Sequence, residues 1–248
     1  MEPTIPKSQR EGRSGAHPNR TSTGWRDASF RVPRGIMEAM LAVEKDAVHY
    51  WLSYSHGIPG WLTDSEAHRL YMLARDVIPA GAPTAVELGS WQGKSSVMIA
   101  GGLVGRAGGR LLCIDPFGTD ENPEYQRLYY DPLLSNMKRT LEQAFSDHMQ
   151  QGGLSSVVHA IRGYSFEAVQ TWTIPIDLLF IDANHGYDEV HRDFEQWTPF
   201  VRVGGVVALH DVSPAWPGPA RVRDENLQPP MFGAFSQVDS LAWAVKTA

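Results

Sequence analysis

The sequence predicts an α/β fold, in which a doubly wound, mostly parallel seven-stranded sheet carries an N-terminal helical cap and a C-terminal antiparallel hairpin. Three observations support this prediction. From residue 84 onwards, short apolar runs alternate with segments of helical periodicity, which is typical of parallel strands joined by crossover helices. Apolar residues at helical spacing precede that region. Two short apolar runs near the end are separated only by Asp239-Ser240, which suits a hairpin.

Composition divides the chain into two parts. Residues 1–30 predict a disordered extension, because they are rich in Arg, Pro, Gly and Ser and poor in apolar residues. A transit peptide is the alternative, although no amphipathic helical pattern accompanies the arginines. Residues 31–248 are expected to form one domain, with the helical cap at 31–80 and the α/β core at 81–248. A chain of 248 residues with 42% hydrophobic residues can bury a substantial core.

The elements follow from local patterns. Apolar residues recur at helical spacing over 35–54, and Thr63 and Glu66 then have the spacing of a capping box, whose helix should end before Pro79. Strands are predicted at 84–88, 110–114, 156–161, 176–181, 206–209, 232–238 and 241–245. Helices are predicted between them at 94–104, 134–150, 166–172 and 187–200.

Charge and composition exclude several classes of partner. The net charge of -6 argues against nucleic acid, because backbone binding depends on a basic surface. No apolar run approaches the roughly 20 residues of a membrane span, and the first residues lack the apolar core of a secretion signal, so we expect a soluble, cytoplasmic protein without a membrane partner. The single cysteine, Cys113, excludes an internal disulfide and a thiolate-rich metal site.

The strongest local motif runs from Val86 to Ser95, where a strand ends in a glycine-rich turn that opens a helix. Gly89 and Gly93 allow a ligand to approach the backbone and the helix N-terminus. The spacing differs from the G-x-G-x-x-G pattern of dinucleotide sites, which disfavours a nicotinamide cofactor. Asp115 ends the second strand, where an acid commonly accepts hydrogen bonds from a ribose diol.

With these motifs, residues 58–212 resemble the class I methyltransferases, and more narrowly the branch of macrocin-type sugar O-methyltransferases and cephalosporin-hydroxylase-like proteins. The resemblance rests on the turn just described and on four further motifs, which are Gly60-Trp61-Leu62 with the Glu66 helix, Arg162 to Ser165, Ile181 to Tyr187, and Gly204-Gly205 leading to His210-Asp211. It implies S-adenosylmethionine as cofactor. The residues that it places at the methionine and ribose part are Glu87, Gly89, Ser90, Gly93, Lys94 and Ser95, with Asp115 on the ribose hydroxyls, Ser165 near adenine and Asp182 also at the cofactor.

Four polar side chains are expected to converge at the carboxyl edge of the sheet, where open α/β folds bind ligands. Asp182 ends the fourth strand with His185 three residues on, and His210-Asp211 ends the fifth. Carboxylate and imidazole suit a divalent ion, so Asp182, His210 and Asp211 are candidate ligands of Mg²⁺ or another divalent metal. The resembling sugar-modifying enzymes carry an acidic pair at His210-Asp211. His185 is the preferred general base and His210 the rival, as base or ligand; for either, bracing a loop is the alternative.

The segments 116–130 and 212–230 are rich in aromatic residues, prolines and glycines, and we expect them to form substrate walls. Alternatively, their aromatic residues pack against the N-terminal helix or a second subunit. The expected reaction is methyl transfer from S-adenosylmethionine to a hydroxyl of a small-molecule acceptor, a sugar or phenol of a secondary metabolite. An N-methyltransferase, a metal-dependent hydroxylase or hydrolase, and a non-catalytic binding module are the alternatives. A homo-oligomer through the N-terminal helix is a further expectation.

Overall fold

The computed structural model describes residues 47–79, 81–119 and 123–248. A seven-stranded sheet with the order β3-β2-β1-β4-β5-β7-β6 forms the centre of this part of the chain. The strands are β1 (Thr84–Leu88), β2 (Arg110–Asp115), β3 (Val158–Arg162), β4 (Ile176–Ile181), β5 (Val201–Leu209), β6 (Ser236–Val238) and β7 (Leu241–Val245). Strands β1 to β5 pair in parallel, and β7 pairs antiparallel with both β5 and β6. The predicted fold class is confirmed.

The helices lie between the strands in chain order. Residues 47–55 are helical (α1), and the helices that follow are α2 (Asp64–Met72), α3 (Lys94–Leu103), α4 (Pro123–Tyr125), α5 (Asp131–Leu134), α6 (Leu141–Gln151), α7 (Ser165–Ala168), α8 (Tyr187–Trp197) and α9 (Pro217–Asn226). A π-helical turn, Leu73–Val77, extends α2, and 3-10 turns extend α7 and α8. The predicted extension 1–30 and cap residues 31–46 lie outside the described residues, and the proposed domain boundaries stay a prediction.

Alternating side chains of the sheet supply two apolar cores. On one face Leu178 and Phe180 pack with apolar residues of α1, α2, α3 and α6. On the other face Leu179 and Ile181 pack with residues of α8 and α9. Because successive side chains of a strand point to opposite faces, a continuous apolar run serves both layers. None of the described helices is long and apolar enough to cross a membrane.

Local structure departs from the prediction in several places. Strand β5 begins at Val201, before the predicted start at residue 206, and the segment 116–130, predicted as a loop, contains α4 and a π-helical turn at Gln126–Tyr130. The predicted helix 134–150 is divided, because Thr140 and Gln143 form a capping box that begins α6. Strand β6 begins only at Ser236, and Phe232 instead fills the core and pairs once with Lys246. The segment 212–230, predicted as a loop, contains α9.

Helix α2 begins as predicted. The Thr63 hydroxyl accepts a hydrogen bond from the backbone N–H of Glu66, and the Glu66 carboxylate accepts one from the backbone N–H of Thr63. This reciprocal cap fixes the entry of α2 beside the carboxyl edge of the sheet.

Candidate active site

A cavity of about 400 Å³ opens at the carboxyl edge of β1, β2, β4 and β5, which is within the range of small-molecule sites. Residues 59–62, before α2, form part of its wall. The predicted site residues that line it are Gly89, Ser90, Lys94, Ser95, Asp115, Ser165, Asp182, His185, His210 and Asp211. The remaining two, Glu87 and Gly93, are not among its lining residues.

Asp115 organises the turn after β1. Its carboxylate accepts backbone hydrogen bonds from Ser90 (2.7 Å) and Trp91 (2.9 Å) through one oxygen and from Phe117 (2.6 Å) through the other. Burial raises the pKa of Asp115, and these backbone hydrogen bonds oppose the rise. The carboxylate therefore holds the β1–α3 turn and the start of the β2–α4 connection at fixed positions beside the cavity.

The two glycines of the turn have different tasks. Gly89 has φ +83°, and a Cβ there would lie 2.1 Å from the carbonyl oxygen of Asp182, so only glycine lets the ends of β1 and β4 meet. Gly93 has φ +92°, and its Cβ would lie 2.5 Å from Met149. The absence of a side chain at Gly93 therefore lets the start of α3 pack against α6, and its predicted contact with the cofactor stays a prediction.

Glu87, predicted as a cofactor residue, does not line the cavity. Its side chain is fully buried below the turn, where it accepts hydrogen bonds from Ser95 Oγ (2.5 Å), from Ser96 and from the Cys113 thiol. Burial raises the pKa of Glu87 to about 7, although these hydrogen bonds oppose the rise. Through these contacts the carboxyl group supports the turn from beneath, and its role toward the cofactor stays a prediction.

His210 is enclosed by carboxylates, and its side chain is only 3% exposed. Its Nδ1 lies 3.1 Å from Asp182 Oδ1 and 3.5 Å from Asp211 Oδ2, and its Nε2 lies 3.3 Å from Glu66 Oε2. A carboxylate only accepts hydrogen bonds, so both ring nitrogens must carry protons for both sides to be satisfied. Burial lowers the pKa of His210, but the neighbouring carboxylates, Asp182 foremost, outweigh it and hold the pKa well above its usual range.

This environment bears on both roles predicted for His210. A doubly protonated imidazole has no lone pair with which to bind a metal or to accept a proton. The contacts of His210 favour a role in holding the carboxylates of Asp182 and Asp211, and its predicted roles as base and as metal ligand stay predictions.

His185, the predicted general base, lies beside Asp182 and Asp211. Its Nε2 lies 2.8 Å from Asp211 Oδ2, and its ring packs against Trp216 with centroids 4.5 Å apart. Although burial raises the pKa of Asp211, hydrogen bonds from His185 and His210 bring it below its usual range. One ligand atom each from Asp182, His185 and Asp211 lie within 4.8 Å of one another, a spacing that a metal ion could bridge.

The third strand delivers Ser165 to the opposite side of the cavity. Ser165 is the first residue of α7, and its hydroxyl donates a hydrogen bond to Asp193 Oδ1 on α8. Beside it, Tyr164 and Phe166 stack with ring centroids 5.2 Å apart, and the Arg192 guanidinium lies 4.6 Å from the centre of the Phe166 ring. This side of the cavity offers flat surfaces next to polar groups.

Sequence reasoning missed the place of Trp61 and Trp91 in the cavity wall, where they form an aromatic cluster with Tyr130. The centroids of the Trp61 and Trp91 rings are 5.7 Å apart, as are those of Trp91 and Tyr130. Trp61 is 69% exposed at the cavity wall, and Trp91 has φ +47°, a conformation that bulky residues rarely adopt. The Gly60-Trp61-Leu62 motif, already noted in the sequence, could have placed Trp61 at the site.

The two segments predicted as substrate walls contribute in part. Tyr130 and Trp216 line the cavity. Phe117 does not contribute, because it is 6% exposed and packs against Phe145 on α6, with ring centroids 5.4 Å apart.

Solved structures of methyltransferases share this fold at low sequence identity. The O-methyltransferase TomG from Streptomyces achromogenes, involved in tomaymycin synthesis and solved with SAM, is 18% identical, with a TM-score of 0.57 over 82% of this chain and 90% of that one. An O-methyltransferase from Bacillus cereus in complex with SAH is 17% identical, with a TM-score of 0.56 over 81% of this chain and 91% of that one. The SAH-bound Podospora anserina methyltransferase PaMTH1 is 14% identical, with a TM-score of 0.55 over 88% and 98% of the two chains.

The family comparison goes further than the fold. The family described as "Methyltransferase domain" matches residues 86–212, which include the glycine turn, Asp115 and the edge from Asp182 to Asp211. The predicted family is thereby confirmed. The chain belongs to the methyltransferase-domain family.

Proposed function

We propose that this methyltransferase transfers the methyl group of S-adenosylmethionine to a hydroxyl of a small-molecule acceptor, a sugar or phenol of a secondary metabolite. The observation that carries the proposal is the division of the cavity. The glycine turn with Asp115 forms one side, and the pair of His185 and Asp211 forms another. TomG and the Bacillus cereus enzyme are O-methyltransferases, which supports the same reaction class.

The cavity residues fit the cofactor by their chemistry. A buried carboxylate at the end of β2 suits the hydroxyls of a ribose, and the N-terminal turn of α3 suits a carboxylate. The residues proposed to hold the cofactor are Gly89, Ser90, Lys94, Ser95, Asp115, Ser165 and Asp182. When bound, S-adenosylmethionine supplies a sulfonium-activated methyl group.

His185 is proposed to take the proton from the acceptor hydroxyl. Asp211 orients its ring across the 2.8 Å contact and stabilises the imidazolium that forms when the proton arrives. The chain's main contribution is alignment, since the aromatic walls and the fixed turn hold the reacting groups in line and exclude water.

A divalent metal is the alternative way to activate the hydroxyl. Asp182, His185 and Asp211 would hold it, and His185 would then serve as a ligand and not as the base. Two carboxylates with one imidazole form a mixed donor set that suits Mn²⁺ or Zn²⁺ as well as Mg²⁺. Chelator treatment separates the two routes, because only the metal-dependent one loses turnover in EDTA.

Calorimetric titration with S-adenosylmethionine and S-adenosylhomocysteine tests the cofactor. We expect micromolar binding to the wild type and a loss of roughly tenfold or more in Asp115→Ala, because a buried charged hydrogen-bond partner is removed. The matched control is Asp224→Ala, which removes an exposed carboxylate of α9 outside the cavity lining and should bind like the wild type. Absence of binding to the wild type would overturn the proposal.

Methyl transfer to a panel of phenols and sugars tests the base. His185→Gln is expected to lower turnover by about 10² to 10⁴-fold while S-adenosylhomocysteine still binds, because general base catalysis contributes on that order. His191→Gln is the control, since this histidine lies on α8 facing Glu195 and does not line the cavity. Equal turnover in His185→Gln and the wild type would remove His185 from the mechanism.

A further inference from the structure

Glu66 has more partners than its position in a capping box requires. One oxygen accepts from the backbone N–H of Thr63 at 2.9 Å and lies 3.3 Å from His210 Nε2. The other accepts from the backbone N–H of Ser240 at 2.7 Å and from the Ser240 hydroxyl at 2.6 Å. The side chain is 1% exposed, so these contacts are made away from water.

The second capping box of the chain shows what the cap alone requires. On α6, Gln143 occupies the same third helical position and accepts from the backbone N–H of Thr140 at 3.1 Å with a neutral amide. That cap is exposed to solvent. A buried carboxylate on α2 therefore needs a reason beyond helix initiation, since burying a charge is costly without a partner.

The partner of Glu66 is His210, which connects it to the proposed catalytic residues. Glu66 meets His210 at 3.3 Å, His210 meets Asp211 at 3.5 Å and Asp182 at 3.1 Å, and Asp211 meets His185 at 2.8 Å. Each step is a polar contact between groups that are buried or half-buried. His210 Nδ1 faces the carboxylates of Asp182 and Asp211, and its Nε2 faces Glu66. Glu66 thus supplies the hydrogen-bond partner for the ring nitrogen that points away from the other two carboxylates.

We propose that Glu66 is a positioning residue of the active site, which acts through His210 to fix the carboxylates of Asp182 and Asp211 and thereby the ring of His185. Its effect on catalysis rests on the proposed function, in which His185 is base or metal ligand. The same carboxylate ties the β6–β7 turn to α2 through Ser240. Glu66 thus joins the start of α2, the end of β5 at His210 and the β6–β7 turn at Ser240.

Imidazole NMR of ¹⁵N-histidine-labelled protein tests this proposal without acceptor or metal. Glu66→Gln keeps the shape of the side chain and an oxygen for Thr63 and Ser240, but it replaces the carboxylate that faces His210. We expect the ring resonances of His185 to move, although three contacts separate the two residues. Thr63→Ala is the matched control, because it removes the hydroxyl half of the same cap and leaves the contact between Glu66 and His210 in place.

The outcomes decide the proposal. Movement of the His185 resonances in Glu66→Gln, but not in Thr63→Ala, supports it. Identical His185 spectra in both variants would overturn it and leave Glu66 as a helix cap. Should Glu66→Gln fail to fold, Ser240→Ala removes one contact of the carboxylate and should still move the His185 resonances relative to the wild type. An unmoved His185 there would also overturn the proposal.

Mn²⁺ titration of the same variants supplies a second measurement. Loss of a group that orients a ligand typically costs about 10- to 100-fold in metal affinity, so we expect a loss of that order in Glu66→Gln and none in Thr63→Ala. Titration of the wild type with S-adenosylhomocysteine is run separately. Its failure would overturn the proposed function, whereas the NMR comparison would still decide the role of Glu66.

Discussion

Two buried glutamates near the cavity have opposite electrostatic surroundings. Glu66, at the start of α2, and Glu87, in β1, are 1% and 0% exposed. Glu66 faces the imidazole of His210, and the pKa of Glu66 falls to about 2 because this contact and the hydrogen bonds from Ser240 and Thr63 outweigh burial. Glu87 accepts hydrogen bonds from hydroxyls and a thiol but has no cationic partner, and burial raises its pKa to about 7.

The difference teaches that the charge of the partner, and not burial, decides which carboxyl group is ionised. Near neutral pH, Glu66 is negatively charged and His210 is positively charged. Beneath the glycine turn, Glu87 is only partly ionised near neutral pH, because its pKa is about 7.

The largest expected effect comes from removing the imidazolium of His210. His210→Gln leaves the carboxylates of Glu66, Asp182 and Asp211 without their shared positive partner. Breaking a buried ion pair in this way costs about 3–5 kcal/mol of unfolding free energy. Urea denaturation followed by circular dichroism measures the loss. His185→Gln is the control, because the side chain of His185 is 21% exposed and that of His210 only 3%, so its cost should be clearly smaller.

The pH dependence of that loss sharpens the comparison. The folded pKa of His210 lies above its unfolded value of 6.5, so its contribution is fully present below pH 6.5 and is lost as the pH rises. The folded pKa of Glu66 lies below its unfolded value of 4.5, so its contribution is present above pH 4.5 and is lost as the pH falls. The cost of His210→Gln should therefore peak between pH 4.5 and 6.5. A cost that grows towards alkaline pH would contradict the charged assignment.

Much of the fold was predictable because its signals are local. The predicted bounds of β1, β4 and β7 match the observed ones to the residue, since each strand is a mainly apolar run with turn residues beside it. Helix α9 was missed because Pro217-Gly218-Pro219 reads as a loop, although proline is tolerated in the first turn of a helix, where its missing N–H has no partner to lose.

The site was predictable only as far as strand ends determine it. Parallel strands bring Asp182, His185, His210 and Asp211 to one edge whatever the details of packing. His210 is buried against Glu66, which lies 144 residues before it in the sequence. No local pattern reports a contact of that range, so the sequence could not tell which of His185 and His210 is enclosed by carboxylates.

The second largest effect is expected at Glu87. Its folded pKa of about 7 lies above the ordinary value of 4.5, so its contribution to stability is present below pH 4.5 and is lost as the pH rises through 7. The difference corresponds to roughly 3 kcal/mol. Glu87→Gln should therefore gain unfolding free energy relative to the wild type between pH 5 and pH 8. An unchanged pH profile would show that Glu87 is ionised throughout and that its hydroxyl partners suffice.

The control for Glu87→Gln is Glu142→Gln. Glu142 is a partly exposed glutamate on α6 with a side chain that is 43% exposed and pairs with Arg162. Surface pairs of this kind contribute little, so its substitution should leave the pH profile close to that of the wild type.

The smallest expected effect comes from the hydroxyls of the two capping boxes, and it distinguishes helix capping from the ion pair at Glu66. Thr63→Ala and Thr140→Ala each remove the hydroxyl of a capping box, and each should cost about 1 kcal/mol of unfolding free energy. Because Thr63 also donates to Asp239 at 2.7 Å, its cost should be slightly the larger. Thermal unfolding of both variants measures the pair. If Thr63→Ala were as damaging as His210→Gln, the cap and the ion pair at Glu66 would be one cooperative unit, and the distinction drawn between the two buried glutamates would rest on helix initiation instead of charge.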